Sequence, residues 1–228
     1  TYQTQPRMDI WRRELIWAWN QALWDAPSKV LAKADPDPQL LLTTQLGPEL
    51  KGVHSELMMI SAYFVPGQPG LVYLTGRADA GVDERLLTNA LEATDVPAVH
   101  GGYAPYRKAL LEHGVKLYEL RRQPGDGGGS GPHLLGSRSL HGSDSSLHSK
   151  AMIFDRQKSF IGSFNFDPRS VLWNTEVGVL VDSPELAEHV RNLALQGMAP
   201  ALSYEAKLQD GQVVWVTDCL LYTSDAAD

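Results

Sequence analysis

Residues 146–170 read SLHSKAMIFDRQKSFIGSFNFDPRS. His148 and Lys150 stand two apart, Asp155 follows, and Gly162, Ser163 and Asn165 close the stretch. On extended backbone, residues two apart point to the same side. His148 and Lys150 therefore project together, with Ser149 opposite. An imidazole beside an ammonium makes a phosphate site with a built-in reagent. The lysine supplies fixed positive charge to a phosphoryl oxygen, and the imidazole attacks phosphorus or moves a proton. Gly162 allows close backbone approach, while Ser163 and Asn165 add hydrogen-bond donors for the phosphate. Asp155 lies seven positions from His148, at a turn. It is expected to organise the hairpin or a basic neighbour rather than touch the reacting atom. Glu176, on the next extended segment, is placed to fix the imidazole tautomer through the second ring nitrogen. Taken singly, each residue has a plainer reading as a surface or turn residue. Their combined spacing does not.

The elements that must hold these groups alternate. Extended, apolar segments are expected over 56–67, 84–91 and 115–120, with helices over 69–81 and 95–114 between them. The helix over 95–114 has Asp95 as its N-cap and ends at Gly114. The reactive stretch reads as two strands, 147–155 and 158–165, joined by the turn at DRQK, and a further strand covers 174–183. A helix over 183–198 has Ser183 as N-cap and Pro184 at its first position. Strands alternating with helices predict an α/β fold with a mixed, largely parallel sheet and helices on both faces. Glu84 sits where an apolar residue would be expected.

Residues 8–26 carry four of the six tryptophans, and Trp11, Leu15, Trp19 and Leu23 repeat at helical spacing. This predicts a helix packing on protein outside the chain, in preference to one lying in a bilayer interface. Residues 1–49 thus read as a Trp-rich helix and linker. Residues 121–146 form a long Gly- and Ser-rich loop that delivers the chain to the reactive stretch. Residues 219–228 have no pattern linking them to what precedes and read as a translated sequencing adapter, a non-native tail.

The formal net charge of −7 argues against a general polyanion binder. The only cysteine, Cys219, falls in the tail. No apolar run approaches the ~18 residues of a membrane-spanning helix.

The spacing His148-x-Lys150-x4-Asp155-x6-Gly162-Ser163-x-Asn165 matches the HKD signature of the phospholipase D superfamily. The resemblance extends over residues 50–218. It includes YFVPG, LLTNALEATDVPAVHGGYAPYRKALLEHGVKLYEL and FIGSFNFDPRSVLWNTEVGVLVDS, which are similar to the C-terminal half of bacterial cardiolipin synthases of the C type. This resemblance implies a phospholipase D-like sandwich lobe, no metal or other cofactor, and a covalent phosphatidyl-histidine intermediate. It implies phospholipid substrates, phosphatidylglycerol and a second phospholipid, met peripherally at the bacterial inner membrane, and no nucleic acid. His148, Lys150 and Asn165 map onto the phosphate-binding set, and Glu176 onto the acidic residue that often follows it.

Such enzymes bring two HKD motifs to one active site. None of the other six histidines here begins a His-x-Lys. Three readings follow: a fragment whose first half lies elsewhere, a lobe that pairs with a second copy, or an inactive relative. A lipase or nuclease on the same fold and a phospholipid-binding module are the alternative activities.

Overall fold

The computed structural model describes residues 15–31, 37–122, 146–217 and 221–223. Residues 8–14 of the expected N-terminal helix, and 123–145 of the Gly- and Ser-rich stretch, lie outside these.

Three central strands, β2 (Glu56–Ser61), β3 (Asp83–Asn89) and β4 (Lys116–Leu120), run parallel. The chain between them crosses over as α2 (Gly67–Asp79) and as α3 (Pro97–Tyr103) with α4 (Arg107–Glu112). The chain then returns to the other side of β2 as a hairpin, β5 (Lys150–Phe154) and β6 (Lys158–Gly162). Beyond the hairpin lie β7 (Val177–Asp182) and β1 (Trp19–Trp24). On the far side β4 pairs with β8 (Ser203–Gln209), then β9 (Gln212–Val216) and β10 (Leu221–Thr223). Among the described residues these strands make one sheet, ordered β1-β7-β6-β5-β2-β3-β4-β8-β9-β10.

The sheet is mixed, as expected for an α/β fold, but parallel pairing is confined to β2-β3-β4. Parallel neighbours need a crossover connection. The segments after β2 and β3 are long enough to form one. The turn after β5 is not, so the hairpin and everything outward of it pairs antiparallel.

Alternation along β2 divides the core. Leu57 and Met59 face a cluster with Leu42 and Leu46 of α1 (Leu42–Gly52), Leu74 of α2 and Leu110 of α4. Met58 and Ile60 face Ala187, Val190 and Ala194 of α6 (Pro184–Gly197). Helices therefore cover both faces. Ser183 caps α6 as expected, accepting the Leu186 N–H at 3.2 Å, with Pro184 at the first position.

Two expected helices differ from the structure. Residues 19–24 form strand β1, not helix. The outer edge of β7 presents unpaired backbone groups, and Trp19–Trp24 satisfies them in an unbroken register from Trp19 opposite Asp182 to Trp24 opposite Val177. Edge pairing and the strand preference of tryptophan outweigh the helical spacing. The segment over 95–114 divides at Ala104–Tyr106, a single 3-10 turn, between α3 and α4. Val96 rather than Asp95 precedes α3, and the Asp95 carboxylate instead accepts the Tyr63 hydroxyl at 2.8 Å.

Candidate active site

The sheet register gathers the reactive residues at one end. The last residue of β2, Ser61, pairs with Lys150, the first of β5. The last residue of β6, Gly162, pairs with Gly178 at the start of β7. His148 and Lys150, Ser163 and Asn165, and Glu176 therefore all emerge at the edge formed by the C-terminal ends of β2 and β3. In open α/β sheets this is where ligands bind.

His148 is exposed, while Lys150 is only 9% exposed. The Lys150 Nζ donates to the His148 carbonyl at 2.5 Å, so the ammonium sits directly beneath the imidazole's own backbone. Burial pulls the Lys150 ammonium below the ordinary lysine range, opposed by the negative charges of Glu176 and Asp95. Asn165 is buried, and its Oδ1 accepts the Tyr63 N–H at 3.1 Å. That bond settles the amide's orientation, because a backbone N–H must meet oxygen. The Asn165 Nδ2 is left as the donor. Burial, then the hydrogen bond and charge of Asp95, push the Tyr63 phenol up to about 12, so it stays protonated.

Ser163 and Glu176 act on each other. The Ser163 hydroxyl donates to Glu176 Oε2 at 2.5 Å and accepts the Val177 N–H at 3.1 Å. The Ser163 hydroxyl, expected to donate to the phosphate, donates its proton to Glu176. Among the described residues no hydrogen bond joins Glu176 to His148, and the Glu176 carboxylate bears on Lys150 instead. Gly162 serves the strand pairing. A Cβ there would stand 2.4 Å from the Val177 carbonyl oxygen and 2.7 Å from the Gly178 Cα, so the close approach it allows is that of β7.

Asp155 lies at the other end of β5; at ~3.3 Å per residue the strand separates it from Lys150 by roughly 17 Å. It occupies a tight turn in which Gln157 N–H donates to Phe154 O at 2.9 Å. Both central residues are left-handed, Asp155 at φ 52° and Arg156 at φ 57°. Aspartate tolerates this conformation, and Arg156 is held in it by an ion pair to Glu56 at 3.0 Å. The Asp155 carboxylate accepts from the Ser55 N–H and hydroxyl, both at 2.7 Å, and from the Glu56 N–H at 3.0 Å. Burial raises its pKa, but these bonds and the His54 N–H outweigh it and hold the carboxyl below its usual range.

Such a carboxylate stabilises the fold above its unfolded pKa, and the contribution is lost as pH falls through the lower folded value. Asp155→Asn is therefore expected to lose about 1–3 kcal/mol of stability at neutral pH, with activity recovering at low temperature. Thermal midpoints and turnover measured together check this. An inactive variant with an unchanged melting curve would place Asp155 among the catalytic residues.

Three supporting residues were not anticipated. Asp25 is buried, accepts the Glu176 N–H at 2.9 Å and the Lys29 ammonium at 2.7 Å, and donates its own N–H to Glu176 O at 2.9 Å. Tyr63 orients Asn165. Asn89, at the end of β3, holds Leu147. A polar residue closing the apolar run of a parallel strand is the one sequence signal that pointed at Asn89.

Residues 47–196 match the family described as "Cardiolipin synthase, PLD-like domain". The chain belongs to this phospholipase D-like cardiolipin synthase family. The resemblance read from the His-x-Lys spacing is thus borne out. Cardiolipin synthase C of Escherichia coli (strain K12) is 40% identical over 209 residues, which is 89% of this chain and 41% of that protein. An uncharacterized protein of Helicobacter pylori (strain J99 / ATCC 700824) is 34% identical over 169 residues, 73% of this chain and 31% of that one. This cardiolipin synthase family member therefore spans less than half the length of these curated relatives. The solved phospholipase D family member Nuc from Salmonella typhimurium superposes with a TM-score of 0.57 at 15% identity, covering 83% of this chain and 99% of that one. Phosphatidylserine synthase of Haemophilus influenzae Rd KW20 gives 0.56 at 15% identity, covering 78% and 38%. At such identities the two structures establish the phospholipase D-like fold alone.

Proposed function

We propose that the chain supplies one of two HKD motifs to a phosphatidyltransferase that makes cardiolipin from phosphatidylglycerol and a second phospholipid. The observation that carries this reading is the exposed His148, whose backbone carbonyl holds the enclosed Lys150 ammonium, with Asn165 emerging at the same edge of the sheet. In the first half-reaction one imidazole nitrogen attacks the phosphodiester phosphorus. The bond from phosphorus to the headgroup oxygen breaks, and the imidazolium of the second motif gives its proton to the leaving alkoxide. In the second, the hydroxyl of phosphatidylglycerol attacks phosphorus, its proton passes to the second imidazole, and the phosphorus–nitrogen bond breaks. His148 takes one of these two parts. Lys150 and Asn165 hold phosphoryl oxygens throughout, and Glu176, fastened by Ser163 and Asp25, balances the Lys150 charge.

The second motif belongs to a partner lobe: the first half of a longer protein, or a second copy of this one. The chain's 41% share of the E. coli relative favours the first half. In this reading residues 50–218 are the catalytic lobe, 1–49 lead into it, and 219–228 are foreign to it. The protein works peripherally at the bacterial inner membrane. Among the described residues no helix is long and apolar enough to cross a membrane. Hydrolysis by the same first half-reaction is the second activity on this fold, and the net charge of −7 disfavours a nucleic-acid substrate.

The purified chain alone is expected to form no cardiolipin from phosphatidylglycerol vesicles, and the first half added in trans to restore formation. One imidazole cannot be both the unprotonated nucleophile and the protonated acid of a single step. Robust synthesis by a monomer would end this proposal. Synthesis only in a dimer would select the second copy, and vesicle binding with no turnover in either mixture would select the binding module.

A further inference from the structure

Leu147 precedes the motif histidine and lies just outside β5, and among the described residues no neighbouring strand satisfies its backbone. Its N–H donates to Asn89 Oδ1 at 2.9 Å, and its carbonyl accepts from Asn89 Nδ2 at 3.0 Å. The same Nδ2 donates to the Ala62 carbonyl at 3.1 Å. Asn89, Leu147 and Ala62 are all buried. The Ala62 carbonyl and the Tyr63 N–H belong to one peptide unit, and that N–H donates to Asn165 Oδ1. One rigid plane therefore lies between the two asparagines, with Asn89 on its oxygen and Asn165 on its hydrogen.

We propose that Asn89 is a positioning residue whose side-chain amide stands in for a missing strand at Leu147 and, through the peptide between Ala62 and Tyr63, ties the His148 segment to Asn165. Only asparagine meets the requirement. A carboxamide carries a donor and an acceptor in one plane, as a peptide does. Aspartate lacks the donor, leucine lacks both, and glutamine is a methylene too long for a site this enclosed. Asn89 touches no reacting atom. It acts by fixing where the imidazole stands relative to the Asn165 donor, a distance that phosphoryl transfer tolerates poorly. The proposal rests on reading His148 and Asn165 as halves of one phosphate-handling site.

The test uses the purified full chain, isotope-labelled, with inorganic phosphate as the probe. Two quantities are followed by NMR: hydrogen-exchange protection of the Leu147 amide, and the response of the His148 ring signals to phosphate. Asn89→Leu is expected to lower Leu147 protection and weaken the phosphate response, each by roughly 10-fold or more, the equivalent of one buried hydrogen bond. Asn89→Asp keeps the volume and the acceptor but sets a carboxylate against two carbonyl oxygens. Its defect is expected to recede as pH falls and the protonated acid regains a donor, a profile the unsubstituted chain does not share. It also serves if Asn89→Leu does not fold. Leu147 protection unchanged in a folded variant, or an Asn89→Asp defect independent of pH, overturns the clamp. A lack of phosphate response at His148 in the unsubstituted chain counts against the functional reading instead, and the Leu147 amide still decides the clamp.

Discussion

Alanine at Lys150, in the enzyme assembled with its second motif, is expected to lower phosphatidyl transfer by ~10²–10³, and alanine at His148 to abolish it. The enclosure of Lys150 sets the size of the first effect. The charges that bear on its ammonium are those of Glu176 and Asp95, both acidic. Removing the ammonium thus leaves two carboxylates facing an incoming phosphodiester, so attraction becomes repulsion. Arginine does not restore it, because a planar guanidinium has no room in a pocket that leaves the lysine 9% exposed. For His148 the loss is of the bond-forming or proton-carrying group itself, and no neighbour can supply another imidazole. Turnover and thermal midpoint measured on both variants check the expectation. A Lys150→Ala enzyme within a factor of ~10 of the parent, well short of a lost preorganised charge, would remove Lys150 from the phosphate site.

Glu84→Leu is expected to stabilise the fold, most strongly at mildly alkaline pH. Glu84 is 1% exposed, and among the described residues neither carboxyl oxygen has a hydrogen-bond partner. Burial pushes its pKa from 4.5 to about 8, only partly opposed by Arg77. Below pH 4.5 the folded and unfolded chains both carry the proton. Between 4.5 and about 8 the unfolded carboxyl is ionised and the folded one is not, so stability falls as pH rises, by about 1 kcal/mol per unit. His100 works in the opposite sense over part of that range. Burial, then the Arg107 charge, lower its pKa from 6.5 to about 4, so stability rises between those values. The two slopes offset each other below pH 6.5, and from there to about 8 His100 no longer opposes Glu84. Thermal midpoints across pH 6.5–8 should fall for the parent and fall less steeply for Glu84→Leu. Parallel curves for the two proteins would show that Glu84 does not carry the buried proton.

The same carboxylate shows what sequence patterns can and cannot reveal. Glu84 was visible as a break in an apolar run, but its lack of partners among the described residues was not, because its enclosure depends on how β2 and α2 pack on β3. The HKD set was legible because its members fall within one hairpin and the next strand, where spacing translates directly into direction. Asp25 and Asn89 were illegible for the converse reason. Their partners lie 151 and 58 residues away, at Glu176 and Leu147, and although Asn89 stands out as a polar residue closing an apolar strand, no local pattern tells which groups either residue would hold. The tryptophans near the N-terminus carry helical spacing, but the open edge of β7, which the spacing does not reveal, decides the conformation of residues 19–24. The parallel character of the sheet was overstated because alternation predicts crossovers, whereas the turn after β5 enforces reversal.

Asp155 changes what the interval in the motif means. Lys150 opens β5 and Asp155 follows its last residue, so the four positions between them are the remainder of the strand. A strand slipped by one residue turns every side chain to the opposite face. Fastened by its carboxylate to Ser55 and Glu56, Asp155 fixes the registration of β5 against β2 from the distal end, as a pin through one end of a ruler fixes the reading at the other. The motif therefore joins a length standard to a reagent. The aspartate sets which way the imidazole and ammonium face without ever approaching the phosphate.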